Sequence, residues 1–224
     1  MIEFEDIAHA YGEHSVLDGV NLRLGEKRVA FVGANGSGKS TLARMINGLV
    51  APTSGRVLVD GIDPARDGRA VRKRVGFVFT NPDSQIVMPT AGEDVAFSLR
   101  RHGIRKAERE RRAAEVLARH GLAGYAEHPA HQLSGGQKQL LALCSMLVLE
   151  PDVLVCDEPT TLLDLRNKRH FMELLQELPQ QVVLVTHDLH LLDGFDRVVV
   201  LDQGRIAADD APAAALSHYR ELIE

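Results

Sequence analysis

Long apolar runs are missing from this sequence. The longest, residues 140–149 with Ser145 inside it, has ten residues, about half of the roughly 20 that a helix needs to cross a bilayer. No membrane span is predicted. An excess of positive charge is missing too, since 26 Lys plus Arg stand against 31 Asp plus Glu for a formal charge of -5. No overall field then favours a nucleic-acid backbone, and no nucleic-acid partner is expected. Cysteine is scarce: Cys144 and Cys156 lie in apolar surroundings without the paired spacing of a metal site or redox motif, and they read as buried hydrophobes. The residues after Met1, Ile-Glu-Phe-Glu-Asp, lack the basic start and apolar core of a secretion signal, so a cytosolic chain is expected. Internal repeats, low-complexity tracts and Ser/Gly linkers are absent. What remains is 224 residues, 45% hydrophobic and 25% charged, the proportions of one globular domain.

Short apolar runs rich in β-branched residues recur at 28–32, 56–60, 75–79, 153–157, 182–186 and 197–202. Such runs suit inner strands buried on both faces of a helix-covered sheet, which makes the fold class α/β. From residue 90 to about 149 the spacing turns helical, with Val116, Leu117 and Leu122 on one side, and an inserted helical lobe is predicted. Residues 100–119 hold eight Lys or Arg against three Glu. That excess reads as a solvated helix face, with a surface meeting anionic lipid headgroups as the alternative.

After the apolar run at 29–32 comes Gly33-Ala34-Asn35-Gly36-Ser37-Gly38-Lys39-Ser40-Thr41, followed by a helix-compatible segment to Leu49. This is a P-loop in its required context of strand, glycine loop and helix. Glycines let backbone N–H groups turn inward around a polyphosphate, and the helix N-terminus adds partial positive charge behind the same anion. Lys39 is placed to bridge β- and γ-phosphates, and the Ser40 hydroxyl to ligate Mg²⁺. The expected ligand is a nucleoside triphosphate.

A second element, Val153-Leu154-Val155-Cys156-Asp157-Glu158-Pro159-Thr160, is an apolar strand ending in two carboxylates. Successive strand side chains alternate faces, so the two acids cannot do the same job. Asp157 is expected to hold Mg²⁺ and Glu158 to polarise the water that attacks the γ-phosphate. A third element, Leu133-Ser134-Gly135-Gly136-Gln137, opens a long apolar helix. Ser134 and Gln137 have the spacing of a capping box, and the free N–H groups of such a helix start, with two glycines, also offer a phosphate-binding surface.

These three elements in this order resemble the ATP-binding-cassette ATPases over essentially the whole chain. The resemblance implies a P-loop NTPase cassette with a RecA-like core, an antiparallel β subdomain and an inserted α-helical subdomain. The whole is one domain, residues 1–224, with the core at about 1–87 and 150–224 and the helical part at 88–149. It implies two copies head to tail, each ATP lying between the P-loop of one and Ser134, Gly135, Gly136 and Gln137 of the other. A homodimer is expected, a pair with a related ATPase being the alternative. Three further roles come from the resemblance: Asp164, in Thr161-Leu162-Leu163-Asp164, as the acid of the segment crossing the dimer interface; His187, in Val-Thr-His-Asp, as the contact to the γ-phosphate; and Tyr11 as the aromatic stacking on adenine.

Where most of that family has Gln, this chain has Thr80, in Phe79-Thr80-Asn81-Pro82-Asp83-Ser84-Gln85-Ile86. The stretch Asn-Pro-Asp-Ser-Gln, followed by Pro89-Thr90-Ala91-Gly92-Glu93-Asp94-Val95-Ala96-Phe97, is similar to the ATPases of energy-coupling-factor importers of vitamins and metal ions. Thr80, the Ile86-Val87-Met88 run and the short C-terminus look most like the biotin branch. That likeness implies a transmembrane coupling subunit, a substrate-binding membrane subunit, and a place on the cytoplasmic face of the membrane. Gln85 is expected to take over part of the missing glutamine's role by reaching toward the nucleotide or the membrane partner. The alternative is a soluble cassette ATPase of iron-sulfur assembly or another non-transport role, with no transporter attached; a P-loop kinase gives no reason for residues 133–137.

Overall fold

The computed structural model describes residues 1–223. It begins with β1 (Ile2–Tyr11), β2 (His14–Leu24) and β3 (Arg28–Val32), and passes through α1 (Lys39–Ile46) into β4 (Ser54–Val59). β1 alternates buried and more exposed positions and pairs antiparallel with β2 on one side and β4 on the other. The run at 56–60 therefore belongs to this three-stranded sheet and is not an inner parallel strand, contrary to the sequence expectation. Of β4 only Val57 and Val59 are fully buried, which is the pattern of a strand with one covered face.

After α2 (Gly68–Val71) come β5 (Val75–Val78), the helices α3 (Ala91–Ser98), α4 (Lys106–Arg119) and α5 (Gly135–Leu147), and then β6 (Val153–Asp157). The chain continues through α6 (Leu165–Glu177), β7 (Gln181–Val185), β8 (Arg197–Asp202), β9 (Arg205–Asp210) and α7 (Pro212–Ile223). Six strands form the central sheet in the order β5-β6-β7-β3-β8-β9, all parallel except the β8/β9 pair. Residues of β3 alternate across it. Val29 and Phe31 join the antiparallel sheet and Leu42, Met45 and Ile46 of α1 in one core. Ala30 and Val32 join Leu143, Phe171 and Leu175 in the other, as the two-residue period of a strand requires.

A third core holds Ala91, Val95, Leu99, Ala113, Leu117 and Leu122 with Leu141, Cys144 and Val148. α5 thus gives one face to the helical lobe and another, with Leu143 and Leu147, to the sheet. The basic stretch of α4 is solvated and laced with ion pairs, Glu108 to Arg111 and Arg112, Lys106 to Glu110 and Arg111 to Glu115, the i,i+3 and i,i+4 pattern of an exposed helix face. No helix among the described residues is long and apolar enough to cross a membrane.

Because β6, β7 and β3 are neighbours running the same way, their C-terminal ends open side by side. The loops that leave those ends carry residues 33–38, Glu158 and His187, and such a crevice is where open parallel sheets bind ligands.

Candidate functional site

Each P-loop glycine is required for a separate reason. At Gly33 φ is +146°, and a Cβ there would lie 2.1 Å from the Leu201 carbonyl oxygen. At Gly38, which precedes α1, φ is +100° and a Cβ would lie 2.6 Å from Leu17 Cδ2. Gly36 has φ +81° and nothing within 4 Å of a Cβ position, so there the backbone conformation alone selects glycine and the approach from outside is open. Lys39, the first residue of α1, is buried, and its Nζ donates to the carbonyls of Gly33 at 2.8 Å and Ala34 at 2.7 Å. Burial pushes its pKa down, while Glu158 and Asp157 push it back up.

Ser40 Oγ donates to Asp157 Oδ1 at 2.6 Å, and Arg44 donates to Asp157 Oδ2 at 2.9 Å. Thr80 Oγ1 donates to the Asp157 backbone carbonyl at 2.7 Å, which pins the segment after β5 to the end of β6. Glu158 has φ +52°, a left-handed conformation uncommon for any residue but glycine. Its Oε2 lies 2.7 Å from His187 Nδ1 and accepts from Thr161 Oγ1 at 3.2 Å. The two adjacent acids are thus separated in environment, Asp157 buried against α1 and Glu158 turned into the cleft.

That cleft has a volume of about 490 Å³ and is lined by Tyr11, Asn35, Gly36, Gly38, Lys39, Ser40, Thr41, Thr80, Glu158, Thr161 and His187, with His14 and Val16. His14 and Val16 carry no sequence signal of their own; they arrive because β2 runs past the P-loop. Tyr11 is 54% exposed and edge-on to His9, with ring centroids 4.6 Å apart, so one face of the phenol ring is free to stack. A Mg²⁺-bound triphosphate fits these groups. Gly36 leaves its approach open, the Lys39 ammonium holds only backbone carbonyls that phosphate oxygens could replace, and a hydroxyl and a carboxylate converge at Ser40 and Asp157.

Ser134 and Gln137 form the expected capping box: the Ser134 N–H donates to Gln137 Oε1 at 2.9 Å, and the Gln137 N–H to Ser134 Oγ at 3.3 Å. Neither they nor Gly135 and Gly136 line the cleft. Asp164 is also outside it, capping α6 by accepting from the Asn167 N–H at 2.8 Å. A Cβ on Gly136 would lie 2.8 Å from Asn167 Cγ, whereas one on Gly135 would meet only the Leu162 carbonyl oxygen at 3.8 Å. Leu162 and Leu165, on either side of Asp164, are each 63% exposed. One copy therefore keeps the P-loop cleft and the Ser134–Asp164 face apart.

Gln85 does not reach the nucleotide cleft; it lines instead the groove beside Val87 and Phe97, on the side where the expected reach toward a membrane partner would lie. Its Oε1 accepts from the Phe79 N–H at 3.3 Å, and its Nε2 donates to the carbonyls of Phe77 at 3.2 Å and Ala142 at 3.5 Å. The side chain is fully engaged in holding its own loop against α5 and does not line the cleft.

A family model described as ABC transporter matches residues 17–161. A putative ABC transporter ATP-binding protein of Deinococcus radiodurans is 52% identical, covering 100% of this chain and 99% of the relative. The biotin transport ATP-binding protein BioM of Rhizobium etli is 46% identical, covering 99% and 98%. Among solved structures, cbiO1 of Clostridium perfringens, described as part of the ABC transporter complex cbiONQ, superposes with a TM-score of 0.85 at 33% identity over 99% of this chain and 92% of that one. The dimeric ATP-binding cassette MJ0796, in a post-hydrolysis state with ADP and Pi, gives a TM-score of 0.83 at 31% identity over 95% and 99%. With a P-loop cleft of this geometry and likeness of this extent, the chain belongs to the ABC transporter family, as an ATPase subunit whose ATP hydrolysis is coupled to transport.

Proposed function

We propose that two copies of this chain clamp two ATP molecules head to tail, and that the closure drives an energy-coupling-factor importer whose cargo is biotin. The carrying observation is that the cleft holds only half of the expected contacts. The other half, Ser134 to Gln137 with Asp164, lies on a separate face whose flanking Leu162 and Leu165 are exposed.

In this reading Tyr11 stacks on adenine and the N–H groups of the P-loop, from Gly33 and Asn35 through Thr41, surround the phosphates. Lys39 bridges the β- and γ-phosphates. Ser40 and Asp157 would hold Mg²⁺, which when bound neutralises charge on the phosphate oxygens. Glu158 accepts a proton from the attacking water as its oxygen bonds to the γ-phosphorus, and the bond to the β-bridging oxygen breaks to leave ADP and phosphate. His187, held by Glu158, contacts the γ-phosphate. Ser134, Gly135, Gly136 and Gln137 of the second copy donate to the same γ-phosphate, so closure lasts as long as that group does. Asp164 sits at the contact between copies.

A membrane coupling subunit docks at residues 80–92 and a second membrane subunit binds the cargo, which places the chain at the cytoplasmic face of the membrane. The biotin assignment is supported by the 46% identity to a protein named for biotin transport, and the membrane partners by the likeness to a subunit described as part of a transporter complex.

The test is Glu158→Gln with MgATP on size exclusion. The variant is expected to elute as a dimer with ATP and as a monomer without it. A variant that stays monomeric at saturating MgATP, or that hydrolyses ATP at the parent rate, overturns the reading.

A further inference from the structure

Ser145 interrupts the longest apolar run of the chain, and the fold gives it a partner. It is 2% exposed, and its Oγ donates to Asp94 Oδ2 at 3.0 Å. Asp94, in the first turn of α3, is itself only 4% exposed. Its other oxygen accepts the backbone N–H groups of Val87 at 2.8 Å and Met88 at 3.0 Å. A buried carboxylate with three donors is fixed in place, because any displacement would leave charge or N–H groups unpaired in a dry site. Among the described residues those two amides have no other acceptor.

The network therefore joins three pieces: the loop before α3, α3 itself and the last turn of α5. The loop presents Val87, 64% exposed, beside Phe97, 41% exposed, on a groove of about 690 Å³. At its far end α5 begins with the Ser134 capping box. Lys138 on Asp83 and Gln85 on the Ala142 carbonyl tie the earlier part of the loop to the same helix, but they stop short of Val87.

We infer that Asp94 is a positioning residue that passes the state of the nucleotide sites to the docking loop, by holding the Val87 and Met88 amides to α5 through Ser145. The inference rests on the closure proposed above. When Ser134 and its neighbours gain a γ-phosphate from the opposite copy, α5 is held at its N-terminus. The hydroxyl eleven positions along, rigid within the same helix, carries that restraint to Asp94 and so to the loop. Ser145 and Asp94 touch neither nucleotide nor catalytic groups.

The experiment is amide hydrogen exchange at Val87 and Met88 in Glu158→Gln, with and without MgATP, alone and combined with Ser145→Ala or Asp94→Asn. In Glu158→Gln alone MgATP is expected to slow exchange at both amides on the order of tenfold, within the usual range of coupling between sites. With Ser145→Ala the dimer should still form but the slowing should be lost; with Asp94→Asn, which keeps an acceptor oxygen but not its charge, exchange should be faster than with Asp94 in both conditions. Ser145→Ala keeps the result readable even where Asp94→Asn does not fold, since it leaves the two loop bonds in place. A dimer in which exchange ignores MgATP, or a Ser145→Ala chain that keeps the full slowing, overturns the inference alone. A chain that never dimerises overturns the closure and the inference together.

Discussion

Glu158 is held in a left-handed backbone conformation with its carboxylate on His187, a strained placement of the kind that persists where function requires it. Lys39 is the complementary case, a buried ammonium paired only with two backbone carbonyls, which phosphate would outcompete. Lys39→Ala is expected to weaken MgATP binding by about 1.5 to 3 kcal/mol for each charge-assisted hydrogen bond lost, read by isothermal titration. Gly38→Ala should be worse, because φ of +100° and a Cβ at 2.6 Å from Leu17 require the loop itself to shift. Its thermal stability and its ATP binding should fall together, whereas Lys39→Ala should lose binding alone. Much of this was legible in the sequence, since residues 33–41 and 153–160 are contiguous and carry their chemistry in their spacing. Tyr11 and His187 are single residues with no local pattern, and only the family resemblance pointed to them. For Gln85 the reach toward the nucleotide was misjudged, because a loop glutamine gives no hint that backbone carbonyls from β5 and α5 will use its amide.

Among the elements, α5 bears the most: it starts at the Ser134 cap and packs into two cores. Leu143→Ala, at a position with no solvent exposure, should cost about 2 to 5 kcal/mol in urea unfolding, the usual range for a buried leucine. His120, which closes α4, is buried, and its Nδ1 has no partner among the described residues. Burial, then the neighbouring Arg119, hold its pKa below the usual 6.5. The unfolded chain therefore takes up a proton that the folded chain refuses, and stability is lost as pH falls below about 6.5. Thermal melts between about pH 7 and pH 5.5 should show that decline, and His120→Gln should flatten it. The parallel strands were readable because burial on both faces leaves an unbroken apolar run. β1, β2 and β9 alternate or carry charge, and β1 and β9 are further broken by register shifts in their pairing. The run at 56–60 was placed in the wrong sheet because strand pairing is non-local: nothing within those residues says that β1 will be the neighbour.

For the whole molecule, the decisive feature is that a single copy separates its P-loop cleft from its Ser134–Asp164 face. In the proposed two-fold pair each cleft would stand against the other copy's face, and the two contacts would be equivalent. Gly135 isolates the consequence. A Cβ there meets only the Leu162 carbonyl oxygen at 3.8 Å and φ is not in the left-handed region, so the backbone of one copy does not need glycine at this position, and an acid in the first turn of α5 is compatible with the helix dipole. Gly135→Asp should therefore melt at the parent temperature yet be inactive, because a carboxylate would stand where a γ-phosphate must come. Lys39→Ala should be inactive through the other half of the site. Mixed together, the two dead chains can form a pair in which the intact P-loop of the Gly135→Asp copy faces the intact Gly135 of the Lys39→Ala copy, giving one whole site of two. With random pairing half of the dimers are mixed, so the mixture should recover up to roughly a quarter of the parent ATPase rate. Self-contained sites would leave the mixture as inactive as its components, and steady-state phosphate release separates the two cases.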